Sequence, residues 1–132
     1  MKKELEQVLF TRYPKLFCQH NKSMTETSMC WGIQCEDGWF DLINSMCRML
    51  QFHIDNNGHK QIEFTTIKEK FGTLSVYHQG ADNYLEGVIA MVENMSYNVC
   101  EQCGTWDETV ANKRTNGRYQ ILCKSCHNKK GE

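Results

Sequence analysis

Apolar residues recur at helical spacing in three stretches of the chain and at strand spacing in one. Leu5, Val8, Leu9, Tyr13 and Leu16 share one face of a helix predicted over residues 4–17. Pro14, the single proline, is expected to kink or restart that helix, because proline lacks an N–H and its ring crowds the preceding turn. Phe40, Ile43, Cys47, Leu50 and Ile54 follow a 3-4-3-4 spacing, the strongest helical period in the chain. Leu42, Met46 and Met49 widen the stripe, which predicts a central helix opened by Asp37-Gly38 and ended by Asn56-Asn57-Gly58. Leu85, Val88, Ile89, Val92 and Met95 predict a third helix, started by the turn Gly80-Ala81-Asp82-Asn83 and ending near Ser96.

Between the second and third helices the composition shifts to strand formers: Ile62, Phe64, Thr65, Thr66, Ile67, Val76 and Tyr77. Strands are expected near 61–70 and 73–79, paired antiparallel about Phe71-Gly72, with a bulge near Ile67 where the alternation falters. Residues 18–36 are polar and mixed and read as a long connection. The expected fold is α+β, three helices with a small antiparallel sheet over residues 1–99. A C-terminal zinc-ribbon or treble-clef-like module over residues 100–132 is expected to dock on it, since no linker or low-complexity tract separates the two.

Cysteine usage sharpens the picture of the tail. Of eight cysteines, Cys18, Cys30, Cys35 and Cys47 are irregularly spaced, whereas Cys100, Cys103, Cys123 and Cys126 form two C-x-x-C pairs with 19 residues between them. Each pair makes a tight turn that points two sulfurs at one spot, and a hairpin between the turns completes a tetrahedron. Gly104 suits a left-handed position after the first pair, Asn116-Gly117 suits a two-residue hairpin turn, and Tyr119–Leu122 reads as the returning strand. The cofactor expected is one structural zinc ion, because four thiolates close the site. So short a module has little core of its own, and the metal is expected to supply its folding energy. Cys18, His20, Cys30 and Cys35 are candidates for a second metal site, and Cys47 reads as a core residue.

Charge and hydropathy remove several classes of function. The 132-residue chain is 40% apolar and 23% charged, the composition of a globular domain. No apolar run reaches the roughly 18 residues of a membrane span, and Met1–Gln7 has no apolar signal core, so a cytoplasmic protein is expected. Residues 1–99 carry a net −3 and residues 100–132 a net +2, which four thiolates around zinc would cancel. The tail is therefore not the polybasic surface of a phosphate-tracking module.

The remaining candidate chemistry sits in two places. Lys68-Glu69-Lys70 closes the first strand, where alternation puts both lysines on one face and Glu69 on the other, and paired ammonium groups can hold phosphate oxygens. Trp31, Trp39, Tyr77 and His78 are candidates to stack on a base. The alternative is a solvated hairpin whose aromatics fill the core. The two cysteine knuckles, with His127 and Lys129 beside the second, also resemble those of zinc-containing HNH endonucleases. No histidine lies between Cys103 and Cys123 to act as the general base, and that interval is short for the family. Nucleophile elbow, phosphate loop and dinucleotide fingerprint are all missing.

Tyr13-Pro14-Lys15-Leu16-Phe17, Gly32–Trp39, Lys68-Glu69-Lys70-Phe71-Gly72-Thr73-Leu74 and the two C-x-x-C pairs together resemble a group of small, mostly uncharacterised bacteriophage proteins. The resemblance spans most of the chain. It implies a viral accessory protein in the host bacterial cytoplasm and carries no known reaction. The expected function is counter-defence, binding and sequestering a nucleotide-derived host immune signal without chemistry, with Trp31, Trp39, Lys68, Lys70, Tyr77 and His78 as ligand-binding residues. Two alternatives stand beside it: a zinc-module adaptor for nucleic acid or a protein partner, and a degenerate HNH-like nuclease or phosphodiesterase. A homodimer is the expected assembly, since two-fold symmetry is the commonest.

Overall fold

The 3-4-3-4 apolar period of residues 40–54 becomes the longest element of the protein. The computed structural model describes residues 1–130; Gly131 and Glu132, the end of the expected tail module, lie outside the described residues. The chain is α+β, with helices α1 (Lys3–Arg12), α2 (Phe40–Asn57), α3 (Asn83–Met95) and α4 (Lys124–Lys130). Its strands are β1 (Ile33–Gln34), β2 (Glu63–Lys70), β3 (Thr73–Gln79), β4 (Ala111–Thr115) and β5 (Arg118–Leu122). The helix count is one more than expected, because α4 closes the tail.

α2 buries Leu42, Ile43, Met46, Cys47, Leu50 and Ile54 along one stripe and stops at Gly58, whose φ of 63° ends the helix in the left-handed region. Asp82 caps α3 by accepting a hydrogen bond from the Leu85 N–H at 2.8 Å. α1 corrects the expected helix over 4–17. It ends at Arg12, and Tyr13 leaves helical geometry (φ −129°, ψ 61°) because a residue before proline is excluded from it. Leu16 and Phe17 are still fully buried, delivered by the turn that follows.

The expected antiparallel sheet proves to be mixed. β2 and β3 form the antiparallel hairpin, but β1 runs parallel to β2, with Ile33 opposite Ile67. Residues 18–36 are thus not wholly a connection; they hold β1 and 3-10 turns at Cys18–Asn21 and Met29–Trp31. The bulge lies between Phe64 and Thr66, not at Ile67. Phe64, Ile67, Leu74 and Val76 face α2 and α3 in one continuous core with Trp39, Phe17 and Leu50. β3 is an edge strand, and α3 blunts that edge. Its outward N–H groups at Leu74 and Val76 donate to the Ser96 hydroxyl (3.1 Å) and the Glu93 carboxylate (2.9 Å). Among the described residues no helix is long and apolar enough to cross a membrane.

Candidate functional site

The four tail sulfurs converge. The Sγ atoms of Cys100, Cys103, Cys123 and Cys126 all lie within 4.8 Å of one another. Cys103 and Cys123 are 3.8 Å apart, and metal–sulfur bonds of about 2.3 Å in a tetrahedron require S···S separations of about 3.8 Å. Local structure explains the convergence. Gly104, at φ 82°, lets its N–H return to the Cys100 carbonyl (2.8 Å), and the Cys100 N–H donates to the Thr105 carbonyl (2.9 Å). The Thr115–Arg118 pair closes the β4–β5 hairpin over Asn116-Gly117, both left-handed. Cys123 immediately precedes α4, and the Cys126 N–H donates to the Cys123 sulfur at 3.4 Å. Knuckle, hairpin and helix follow in the treble-clef-like order. The four sulfurs are placed so that they could hold a metal ion, and a tetrahedral ion bound by all four would have no open position.

The four thiols lie in different environments. Burial and then hydrogen bonds with the other three sulfurs push Cys126 up, and burial pushes Cys100 up. Burial raises Cys103 too, but hydrogen bonds from Thr105 and neighbouring sulfurs outweigh it and bring this thiol down to about 7. Four thiolates this close repel one another, and a divalent ion is what lets them coexist.

Main-chain contact joins this cluster to the body. The Gly38 N–H donates to the Glu101 carbonyl at 2.7 Å, and a Cβ on Gly38 would sit 2.2 Å from the Cys100 carbonyl oxygen. Glycine is therefore the residue that lets the knuckle approach. Trp39 is fully buried, and its indole N–H donates to the Val99 carbonyl at 2.8 Å. The fully buried Glu101 carboxylate accepts the Glu36 N–H at 3.0 Å, and Glu36 in turn takes Gln120 (2.9 Å) and Lys130 (3.5 Å).

The second candidate cysteine set does not converge. Among the described residues the four tail cysteines form the only cluster of metal-ligating groups at that spacing. Cys18 lies against Glu63, His20 stacks on Phe10 at 4.3 Å, Cys30 donates to the Thr27 carbonyl, and Cys35 is buried. Cys47 is a core residue, as expected, with its thiol raised by burial.

The six candidate ligand-binding residues divide. Lys68 and Lys70 share the outer face of the sheet with Thr66, Thr73, Ser75 and Tyr77, while Glu69 points to the inner face, as the alternation predicts. Lys70 Nζ lies 3.3 Å from the Tyr77 hydroxyl. Trp31 is 61% exposed, two residues before β1. Trp39 requires correction: a tryptophan with no exposed surface and its N–H committed to Val99 cannot stack on a ligand. His78 is separated from Tyr77 as well, since it pairs with the core residue Phe64 on the inner face. None of the cavities described is lined by any of the six. Phe71, read from the sequence only as part of the hairpin turn, is 80% exposed at the tip of β2–β3, at φ 53°. Compared with known proteins, the chain matches no family model, no curated protein and no solved structure.

Proposed function

We propose that the protein is a non-enzymatic binder of a phosphate-bearing nucleotide signal, with zinc in the four-cysteine site holding its tail. The observation that supports this reading is the outer sheet face. Two lysines two positions apart, about 7 Å along a strand, are spaced to engage separate phosphate oxygens. Tyr77 adds an aromatic surface for a base, and Gln34, opposite Lys68, adds an amide. The residues on this face from Thr66 to Lys70 and from Thr73 to Tyr77 carry no carboxylate, so no internal anion competes with the ligand. The likeness to bacteriophage proteins gives the biological sense: a counter-defence protein that holds an immune nucleotide in the host cytoplasm without altering it.

Calorimetric titration with cyclic dinucleotides tests the proposal. Binding is expected, with intact ligand recovered after heat denaturation and affinity lowered at least about tenfold in Lys70→Ala. Absence of binding across the panel would reject it, and recovery of cleaved ligand would move the protein to the phosphodiesterase reading. A second reading, nucleic-acid binding by the tail, draws on exposed Trp106 and on Arg114 stacked over Tyr119 at 5.6 Å. Lys130 is engaged by Glu36, which removes one of the cations that reading uses.

A further inference from the structure

We propose that His53, His59 and Asp82 form a second cation site, open on one side, for a divalent transition metal of the nickel, cobalt and zinc class. Three separate elements bring them together. His53 lies in the last turns of α2, His59 follows the left-handed Gly58, and Asp82 caps α3. Asp82 Oδ1 is taken by the Leu85 N–H. Its Oδ2 faces two imidazole nitrogens, His53 Nε2 at 3.3 Å and His59 Nε2 at 3.7 Å.

The hydrogen bonds on the far side of each ring decide what Oδ2 meets. His59 Nδ1 lies 2.6 Å from the Lys60 carbonyl, which can only accept, so Nδ1 carries the proton. When His59 carries no second proton, its Nε2 lone pair faces a carboxylate oxygen; when it does, the same contact is an ion pair. Two acceptors in opposition are relieved by a cation between them. This is also how metal-binding histidines are held elsewhere, with Nδ1–H on a carbonyl and Nε2 free. His53 Nδ1 sits 3.1 Å from the Asn57 amide, so Nε2–H donates to Oδ2. Metal binding displaces that proton from Nε2, to Nδ1 where the Asn57 amide, which also donates to the His53 carbonyl at 3.1 Å, swings away, and otherwise to solvent. Tyr84 stacked on His53 at 4.1 Å fixes the ring plane. Asp82 is already anionic at neutral pH, its carboxyl held below the usual range chiefly by the Leu85 N–H.

The two imidazole rings lie 6.3 Å apart between centroids, with Asp82 Oδ2 in reach of both Nε2 atoms. A metal draws the imidazoles together. His59, in the connection between α2 and β2 rather than in a helix, is the ligand that moves. A cavity of about 410 Å³ with mixed lining, including His59, Gln61, Ile62, Glu63, Gln79 and Ala81, adjoins the site. Two histidines and one carboxylate leave positions for water or a small anion from that side.

Paramagnetic Ni²⁺ titrated into the zinc-loaded full chain tests this by NMR. The imidazole signals of His53 and His59 are expected to broaden at about one equivalent, while those of His20, His78 and His127 persist. His59→Ala, which leaves both helices and the α3 cap in place, should weaken Ni²⁺ at least about tenfold. No broadening at millimolar Ni²⁺, broadening centred on His127, or undiminished affinity in a folded His59→Ala protein would overturn the proposal. If that variant fails to fold, the wild-type broadening pattern decides.

Discussion

Residues 1–99 and the tail bury very different things. The body buries Trp39, Phe17, Phe64 and the apolar stripes of α2 and α3 in one cluster. The tail's own cluster contains Leu122, three cysteines and the half-buried Val110 at its edge. Burying a large apolar side chain stabilises by about 1.5–3 kcal/mol, so the body holds itself together by area. The tail's own cluster offers little such area, although Ile121 is fully buried in the body's core, and a bound metal is expected to supply the rest. The contrast shows how one short chain uses two solutions, joined where Gly38 and Trp39 meet Val99–Glu101.

Loss of a metal ligand should break the contrast most severely. Cys123→Ser is expected to unfold β4, β5 and α4, removing a metal-binding energy on the order of 10 kcal/mol, while α2 and the β2–β3 hairpin stay folded. Far-UV circular dichroism with amide NMR reads both halves. Gly38→Ala strikes the joint instead. Its Cβ would meet two backbone carbonyls at 2.2 and 2.4 Å, which no rotamer can relieve, and a loss of about 3 kcal/mol is expected by chemical denaturation. Trp39→Phe removes the indole N–H, leaves the Val99 carbonyl unpaired and opens a cavity where the second ring sat, costing about 1–3 kcal/mol.

Two smaller effects sharpen the comparison. Burial raises the Glu101 carboxyl above its ordinary value. The folded protein therefore holds a proton that the unfolded chain has released, and stability should fall as pH rises from the ordinary carboxylate range through the raised value. Glu101→Gln should flatten that decline, read as denaturation midpoints across pH. Phe71 and Asn116 occupy equivalent left-handed positions in the two hairpin turns, at φ 53° and 52°. Asparagine tolerates this geometry and phenylalanine does not, so Phe71→Asn should gain about 1 kcal/mol in thermal unfolding.

Elements with a long, repeated signal were legible in the sequence: α2, α3, the β2–β3 hairpin and the four tail cysteines each repeat a spacing that one physical cause dictates. What escaped was set by partners distant in the chain. β1 is two residues long and is defined only by its pairing with β2, so it has no alternation to read. Trp39 looked like a free aromatic because its acceptor, Val99, is 60 positions away. Gly38 looked like a helix opener, whereas its lack of a Cβ serves the knuckle that docks on it. The end of α1 was signalled by Pro14, but the apolar spacing through Leu16 masked it.

Amide hydrogen exchange on the wild-type chain, paired with its zinc content before and after chelation, tests the division between body and tail most directly. The expected result is one zinc per chain that Cys123→Ser lacks, and loss of protection across β4 and β5 on chelation while α2, β2 and β3 keep theirs. Protection in β4 and β5 that survives removal of the metal, or a purified chain with no zinc at all, would contradict it.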